Sequence, residues 1–581
     1  MLKASSQFLR RQGAEPALEV GASVNAPDAT AMVMDVSETA LGSTFGFLQL
    51  SDTPRFPYSR PEFLYFSEDE IQVSSDQTVR PVLVPKFPHK MPLFAGYAEC
   101  INSGKTPENE DQAACKILQL VGSSSSHNSR KQTAASGSRT PLVGRRGAAN
   151  QRSSSECRKG ITESDDQDND RMSKTRFFKR RISDDDLLLV DGLNKKKEEN
   201  LSYPDGSRVE VAYFGIFDGH AGSGAAIFAA NCLHEHVKER LTQVLESINH
   251  LWHQEQQLGS SKPLCSLGGK LITSDGLVVG ALETAFAEMD EQINEEKMLW
   301  RISGGCAACV ALFVFGKLYV ANAGDCRAVV FTNSGKTIPM STDHTPETER
   351  NRLQHLAYRN PELLSNSFSR LEYSRFISRR DLKKKVLYRD WYMSGWAAKT
   401  IRDYDIKPPL ISDGPKKRRL LNTIGVTRGF GDHHLLTVDD RIPIKPFLSP
   451  VPEVQVLDLA SLDELTDFDV CVIGSDGLWD VLSNADVADV VRQSLLNADA
   501  QDTTKYSVAA QDLVIAARGS LTDLGRWRLD FNRDANSCDN QTLSDVNVAS
   551  TDDISCWVIP LKHAIAPRQV DDEDDVELLP L

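Results

Sequence analysis

The chain has 581 residues, with 81 acidic against 66 basic side chains and a formal net charge of −15. That length suits more than one average domain, or one large domain with insertions, and a hydrophobic fraction of 40% supports a sizeable core. The acidic balance argues against general nucleic-acid binding, and no apolar run approaches the roughly 20 residues needed to span a bilayer. The 11 cysteines are scattered, with no secretory signal ahead of them. They read as an intracellular protein in a reducing compartment, cytoplasmic or nuclear.

Residues 1–60 are rich in small and polar types without a clear period, and are expected to form a disordered tail. Its first residues carry Lys3, Arg10 and Arg11 before the first acid at Glu15, so two readings stand. One is a short amphipathic helix making peripheral membrane contact or serving as a targeting signal. The other is a plain solvated tail. Residues 61–92 carry aromatics and prolines and are expected to pack on the main domain as an extended arm.

The main domain is placed at 93–562. Tyr97 to Ile101 reads as a strand, followed by Gly104-Lys105 and Asn109-Glu110-Asp111. From 122 to 205 Ser, Arg, Lys, Asp and Asn dominate, which predicts a disordered insertion. Within it Ser183 lies between a basic and an acidic run, as a kinase site would or as solvated charge does. Order returns with the strand Val211 to Phe217, which ends in Asp218-Gly219-His220. Helices are expected from Gly222 to Leu241 and from Gly276 to Trp300, where Leu282, Phe286, Met289 and Ile293 recur at helical spacing. Ala307 to Phe315, Leu318 to Ala323 and Ala328 to Phe331 read as three strands of an antiparallel meander. Cys306 and Cys309 form a lone CxxC in the strand-like run that opens this meander, Cys306 to Phe315, and are expected to be core thiols.

Residues 346–423 form a long, basic segment between two motif-bearing regions. Strands return at Val454 to Leu457 and Val470 to Ile473. Helices follow near Asn484 to Leu495 and Lys505 to Ala517, then a last strand from Ile554 to Pro560. Residues 563–581 are an acidic, solvated tail. Strands group with strands and helices come in pairs. That predicts an α+β fold of two packed antiparallel sheets, a β-sandwich, flanked by layers of paired helices.

One pattern recurs. Asp218, Asp325 and Asp476 each follow an apolar strand, Asp480 follows four residues after Asp476, and Asp552 directly precedes one; Glu110 and Asp111 join the set. Two unit charges 4 Å apart repel by about 4 kcal/mol at an effective dielectric of about 20, so such a cluster needs a countercharge. Oxygen-only ligands select Mg²⁺ or Mn²⁺ over Zn²⁺. Gly219 lets the backbone approach, so its carbonyl can also serve as a ligand. Two adjacent divalent ions can lower the pKa of a shared water toward neutrality and hold it in line with a phosphorus atom. His220, directly after the ligand pair, is placed to protonate the leaving oxygen.

These motifs resemble those of the metal-dependent serine/threonine protein phosphatases, the PPM or type 2C family. They stand in that family's order: Asn109-Glu110-Asp111, Phe217-Asp218-Gly219-His220, Ala323-Gly324-Asp325-Cys326-Arg327, Asp343-His344, Thr427-Arg428-Gly429-Phe430-Gly431-Asp432, Ser475-Asp476-Gly477-Leu478-Trp479-Asp480 and Thr551-Asp552-Asp553. The insertion, the arm from Arg60 and the run Gly425-Val-Thr-Arg-Gly look most like the H/J/M subgroup. The resemblance implies hydrolysis of phosphoserine and phosphothreonine on protein substrates. It implies that Asp218 bridges two metals, that the Gly219 carbonyl binds one and that Asp476 and Asp552 hold the other. Glu110 and Asp111 would act largely through metal-bound water, and Asp325 with Asp476 would form a third, weaker site. His220 is the implied general acid.

Two departures stand out. Lys105 replaces the family's usual arginine ahead of the Glu-Asp pair, and would grip phosphate as a point charge and not as a fork. Asp553 stands where asparagine is usual. The segment 346–423 falls at the family's flap, and its cations (Arg379, Arg380, Lys383, Lys384, Lys385, Arg389 and Lys416 to Arg419) suggest contact with acidic substrate surfaces. A non-catalytic scaffold of this fold would lack ligands, whereas Asp218, Asp476 and Asp552 are all present. A nucleic-acid binder would interleave aromatics with its basic runs, and this chain does not.

Overall fold

The computed structural model describes residues 60–122, 208–258, 265–267, 270–414, 417–530 and 548–564. The N-terminal tail, the insertion beyond Gly122 with Ser183, Lys416 and the acidic tail from 565 lie outside the described residues. The arm is not simply extended. It carries a helix, α1 (Glu68–Ser74), closed by a Ser67/Glu70 capping box, and a short strand, β1 (Val82–Leu83). The domain then runs through β2 (Gly96–Cys100), β3 (Gln112–Val121) and β4 (Arg208–His220). Next come α2 (Gly224–Leu258) and α3 (Ser274–Glu296), and then β5 (Gly305–Val314), β6 (Lys317–Ala323), β7 (Arg327–Phe331) and β8 (Thr337–Pro339). The flap holds α4 (Arg350–Arg359) and a sheet of β9 (Glu372–Tyr373), β10 (Lys385–Arg389) and β11 (Ala397–Thr400). The chain closes with β12 (Phe430–Gly431), β13 (Glu453–Asp458), β14 (Val470–Gly474), α5 (Asp476–Trp479), α6 (Asn484–Asn497), α7 (Lys505–Arg518) and β15 (Ile554–Pro560).

Two six-stranded sheets form the centre. One has the order β1-β2-β15-β14-β7-β8. The other has the order β13-β6-β5-β4-β3, with β12 also paired to β5. Alternation along β5 explains the layering. Cys306, Ala308, Val310 and Leu312 face α2 and α3, whereas Ala307, Cys309, Ala311 and Phe313 face the other sheet. Cys306 and Cys309 therefore point to opposite faces, both buried and free, and cannot share a metal. Between the sheets Trp557 packs on Tyr97 and Phe214, at centroid distances of 4.7 and 5.3 Å. Its indole N–H donates to Gly215 O at 3.1 Å, a bond that crosses from one sheet to the other.

The helix pairs cover the outer faces. Leu233, Val237, Leu241, Leu245 and Ile248 make one buried stripe on α2. That stripe continues past Leu241, which is why the helix outruns the sequence expectation. On the other side Val487, Val491, Tyr506, Leu513 and Ala517 pack α6 and α7 on the sheet of β14 and β15.

Two differences from the sequence reading matter. The strand β4 does not stop before Asp218; it runs through His220, paired with β5. The expected meander breaks after β6, because Gly324 to Cys326 carries the chain across to the other sheet, where β7 pairs with β14. The pairing of β3 with β4 also brings Val121 opposite Arg208. The flap is folded over an apolar cluster in which its Leu353, Phe368, Leu410 and Leu420 pack with Ile444 and Phe447 from the segment that follows it. Among the described residues no helix is long and apolar enough to cross a membrane.

Candidate active site

The site lies where the strand ends of both sheets meet. Asp218 comes from β4, Asp325 from the crossover between β6 and β7, and Asp476 from the first residue of α5 after β14. One carboxylate oxygen from each of the three lies within 4.8 Å of the others. Backbone contacts fix this convergence. The amide of Asp476 donates to Asp218 Oδ2 at 3.1 Å. The Asp325 loop is braced by His344, whose amide donates to Gly324 O at 2.9 Å and whose Nδ1 accepts from the Gly324 amide at 3.2 Å. Arg327 and Asp343 pair beside it at 2.6 Å.

Glu110 and Asp111 sit at the start of β3 beside this group. Glu110 Oε1 accepts from the Gly222 amide, which ties the loop after His220 to β3. A Cβ on Gly219 would collide with Glu110 O, so only glycine lets these two backbones meet. Asp111 is buried, and its Oδ2 has no hydrogen-bond partner. The arm holds both acid loops. Arg60 donates to Asp111 O at 3.1 Å and pairs with buried Glu99. Arg80, fully buried, donates to Ile101 O, Ser550 O and Asp552 O at 2.7, 2.6 and 2.8 Å.

Asp552 is paired with Lys105, the residue expected to bind phosphate. That lysine's pKa is raised: burial works against its charge, and Asp552, Asp476 and Asp218 outweigh burial. One cation thus feels three of the expected ligands. Asp553 has its own role, which the sequence reading left open. Its Oδ1 accepts from the Asn102 amide at 2.8 Å and its Oδ2 from the Glu110 amide at 3.1 Å. It clips the loop of Asp552 to that of Glu110.

The electrostatics are those of crowded buried carboxylates. Burial, then mutual repulsion, pushes Asp218 and Asp111 well above the usual carboxylate range. Burial also raises Asp325 and Asp553, each to about 7. For His220, burial opposes protonation, but its bond to Asp432 and the charges of Asp432, Asp325 and Glu110 hold its pKa above the ordinary value.

Two residues here receive no role in the site from the sequence alone. Lys417, from the flap, puts its Nζ 2.7 Å from Asp476, 2.9 Å from Asp480 and 3.6 Å from Asp325. Asp432 bonds His220, its Oδ2 lying 2.7 Å from Nε2. The second had a signal in the sequence: Phe430-Gly431-Asp432 repeats the apolar–glycine–aspartate pattern used elsewhere. The first had none, since a lysine in a basic run carries no mark of the acid it will meet.

The donor set suits a divalent cation. It is all oxygen, it includes an unpartnered buried acceptor on Asp111, and an ammonium already lies against Asp325, Asp476 and Asp480.

Comparison with known proteins gives a consistent picture. The family described as protein phosphatase 2C matches residues 179–401 and 405–522. Protein phosphatase 1H of Homo sapiens is 42% identical over 544 residues, covering 88% of this chain and 93% of that protein. Protein phosphatase 1J of Rattus norvegicus is 36% identical, covering 88% of this chain and 87% of that protein. The crystal structure of serine-threonine phosphatase 2C from Toxoplasma gondii shares 19% identity, covering 60% of this chain and 88% of that one, at a TM-score of 0.30.

Proposed function

The chain belongs to the protein phosphatase 2C family, as a protein serine/threonine phosphatase of the H/J kind, and from that premise we propose how its site works. Two Mg²⁺ or Mn²⁺ ions would be held by Asp218, Asp476, Asp552 and the Gly219 carbonyl, with Glu110 and Asp111 contributing through water, and a third, weaker ion would fall to Asp325 and Asp476. The observation that supports a cation site here is that Asp218, Asp325 and Asp476, remote in the chain, each bring a carboxylate oxygen within 4.8 Å of the others. When bound, the ions neutralise these carboxylates and bring the pKa of water toward neutrality.

The protein's own groups do the rest. Lys105, beside Asp552, orients a phosphate oxygen as a point charge. His220 protonates the leaving group. The bond from phosphorus to the seryl or threonyl oxygen breaks with its electron pair on that oxygen, which takes the imidazolium proton. Water supplies the oxygen of the new P–O bond, so the products are inorganic phosphate and the free hydroxyl.

The flap supplies contact with acidic phosphoprotein surfaces. Arg379, Arg380, Lys383, Lys384 and Lys385 are exposed together at one end of its sheet, whereas Arg389 pairs with Glu372 and Lys417 with the site's own acids. A cytoplasmic setting fits the free thiols of Cys100, Cys115, Cys306, Cys309, Cys326 and Cys471. The deciding assay is Mn²⁺-dependent hydrolysis of a phosphothreonine peptide by wild type and by Asp218→Asn. Activity is expected to vanish in the variant and in chelator; activity surviving either treatment contradicts the metal mechanism.

A further inference from the structure

We infer that Asp432 is the positioning residue for His220, holding its imidazole in the orientation from which the leaving group is protonated. This rests on the reading of His220 as the general acid. The register of three neighbouring strands carries the argument. On one side of β5, His220 of β4 lies opposite Gly305; on the other side, Gly431 of β12 lies opposite the same Gly305. His220 and the residue after Gly431 therefore flank a position that has no side chain. They meet over it, His220 Nε2 to Asp432 Oδ2 at 2.7 Å. A Cβ on Gly305 would stand 2.8 Å from His220 Nε2 and closer still to Asp432 Oδ2, so the pair fills the space that the missing side chain leaves.

Asp432 is held in place from several sides. It takes a left-handed backbone conformation at φ 55°, and its amide donates to Gly304 O at 3.0 Å. Its neighbours are anchored to α3 through buried Asp290. That carboxylate accepts from the Gly431 amide at 2.9 Å, from His433 Nε2 at 3.1 Å and from Lys445 Nζ at 2.8 Å. Lys445 also donates to Gly431 O at 2.8 Å. The carboxylate of Asp432 is itself almost fully buried, while the His220 ring is about one-third exposed, at 32%. Such an arrangement fixes the ring by its Nε2 edge while part of the imidazole stays exposed. A carboxylate accepts, so Nε2–H donates to Asp432 and Nδ1 is the nitrogen left to carry the transferred proton. The Asp432 carboxylate, bonded to the ring at Nε2, sets its tautomer and angle, as a partner behind a catalytic imidazole does elsewhere.

The leaving group separates this role from a structural one. An alkoxide needs its proton delivered, whereas nitrophenolate departs unaided. We expect His220→Gln to lower kcat on a phosphothreonine peptide about 100-fold more than on 4-nitrophenyl phosphate, within the range of general acid catalysis. Asp432→Asn and Asp432→Ser should show the same selectivity, about tenfold, with KM little moved. Equal losses on both substrates, or no loss, overturn the inference. If His220→Gln itself is unselective, the general-acid reading is what fails. The pairing is then judged by ¹⁵N-histidine NMR of the wild-type protein. A His220 Nε2 proton that exchanges slowly, and fast once Asp432 is replaced by Asn, supports it; one that exchanges like those of exposed histidines refutes it.

Discussion

Lys417 Nζ lies 2.7 Å from Asp476 Oδ2, so a side chain of the flap reaches into the acid cluster of the catalytic core. Burial works against its charge, but Asp476, Asp325 and Asp480 outweigh burial and keep its pKa well above that of a free lysine. An ammonium and a divalent ion seek the same oxygens, and such competition is reciprocal. In Lys417→Met the affinity for the weakest of the bound Mn²⁺ ions is expected to rise about fivefold, as for coupling of about 1 kcal/mol. Isothermal titration measures this directly. A fall in affinity would show that Lys417 supports the ion and does not compete with it.

Without metal, the acids should make stability fall with rising pH. Burial raises Asp325 and Asp553 to about 7 from an ordinary value of 3.8. The folded chain then keeps protons that the unfolded chain has released. The associated stability is greatest below about pH 4 and is lost as pH rises through about 7. Melting temperature in chelator is therefore expected to drop between about pH 4 and 7, and saturating Mn²⁺ should remove most of the slope. A flat profile in chelator would contradict the pKa assignment.

Arg80 ties the arm to the site through three carbonyl oxygens, one of them that of Asp552. Its replacement by Met leaves those acceptors buried without donors. A loss of about 3 kcal/mol follows from roughly 1 kcal/mol or more for each unsatisfied group. Denaturant titration gives the stability, and Mn²⁺ titration should show weakened binding, since the Asp552 loop loses its brace. Stability lost with metal affinity intact would separate the arm from the site.

Charge reversal at Lys383, Lys384 and Lys385 tests the flap. These cations are exposed, so each contributes little to stability. Changing all three to Glu should lower kcat/KM on an acidic phosphoprotein about tenfold more than on 4-nitrophenyl phosphate, and the gap should narrow at high salt. Parallel changes on both substrates would remove the flap from substrate selection.

What could be read from the residues was whatever is local. The apolar run Val470 to Ile473, the stripe of Leu282, Phe286, Met289 and Ile293, and the Asp-Gly pairs at Asp218 and Asp476 each declare themselves within a few positions, and they are found as a strand, a helix and two members of one acidic cluster. What depended on pairing was not visible. Nothing near Gly324 says that β7 leaves its hairpin partner for the other sheet, because that choice is made by β14, far along the chain. Asp432 meets His220 only through the shared register on β5, and Lys417 meets Asp476 only once the flap has folded. The stripe on α2 was read too short because its later apolar positions lie among polar residues.

The pairing of Val121 with Arg208 has a further implication. The residues between Gly122 and Arg208 connect two strand ends that the sheet already holds side by side. Closing such a connection costs only about 0.6 kcal/mol more for each doubling of its length. The catalytic scaffold is thus nearly indifferent to what is spliced in at this point, and the connection can be lengthened, trimmed or rewritten in composition while Asp111 and Asp218, at the far ends of the same two strands, keep their places.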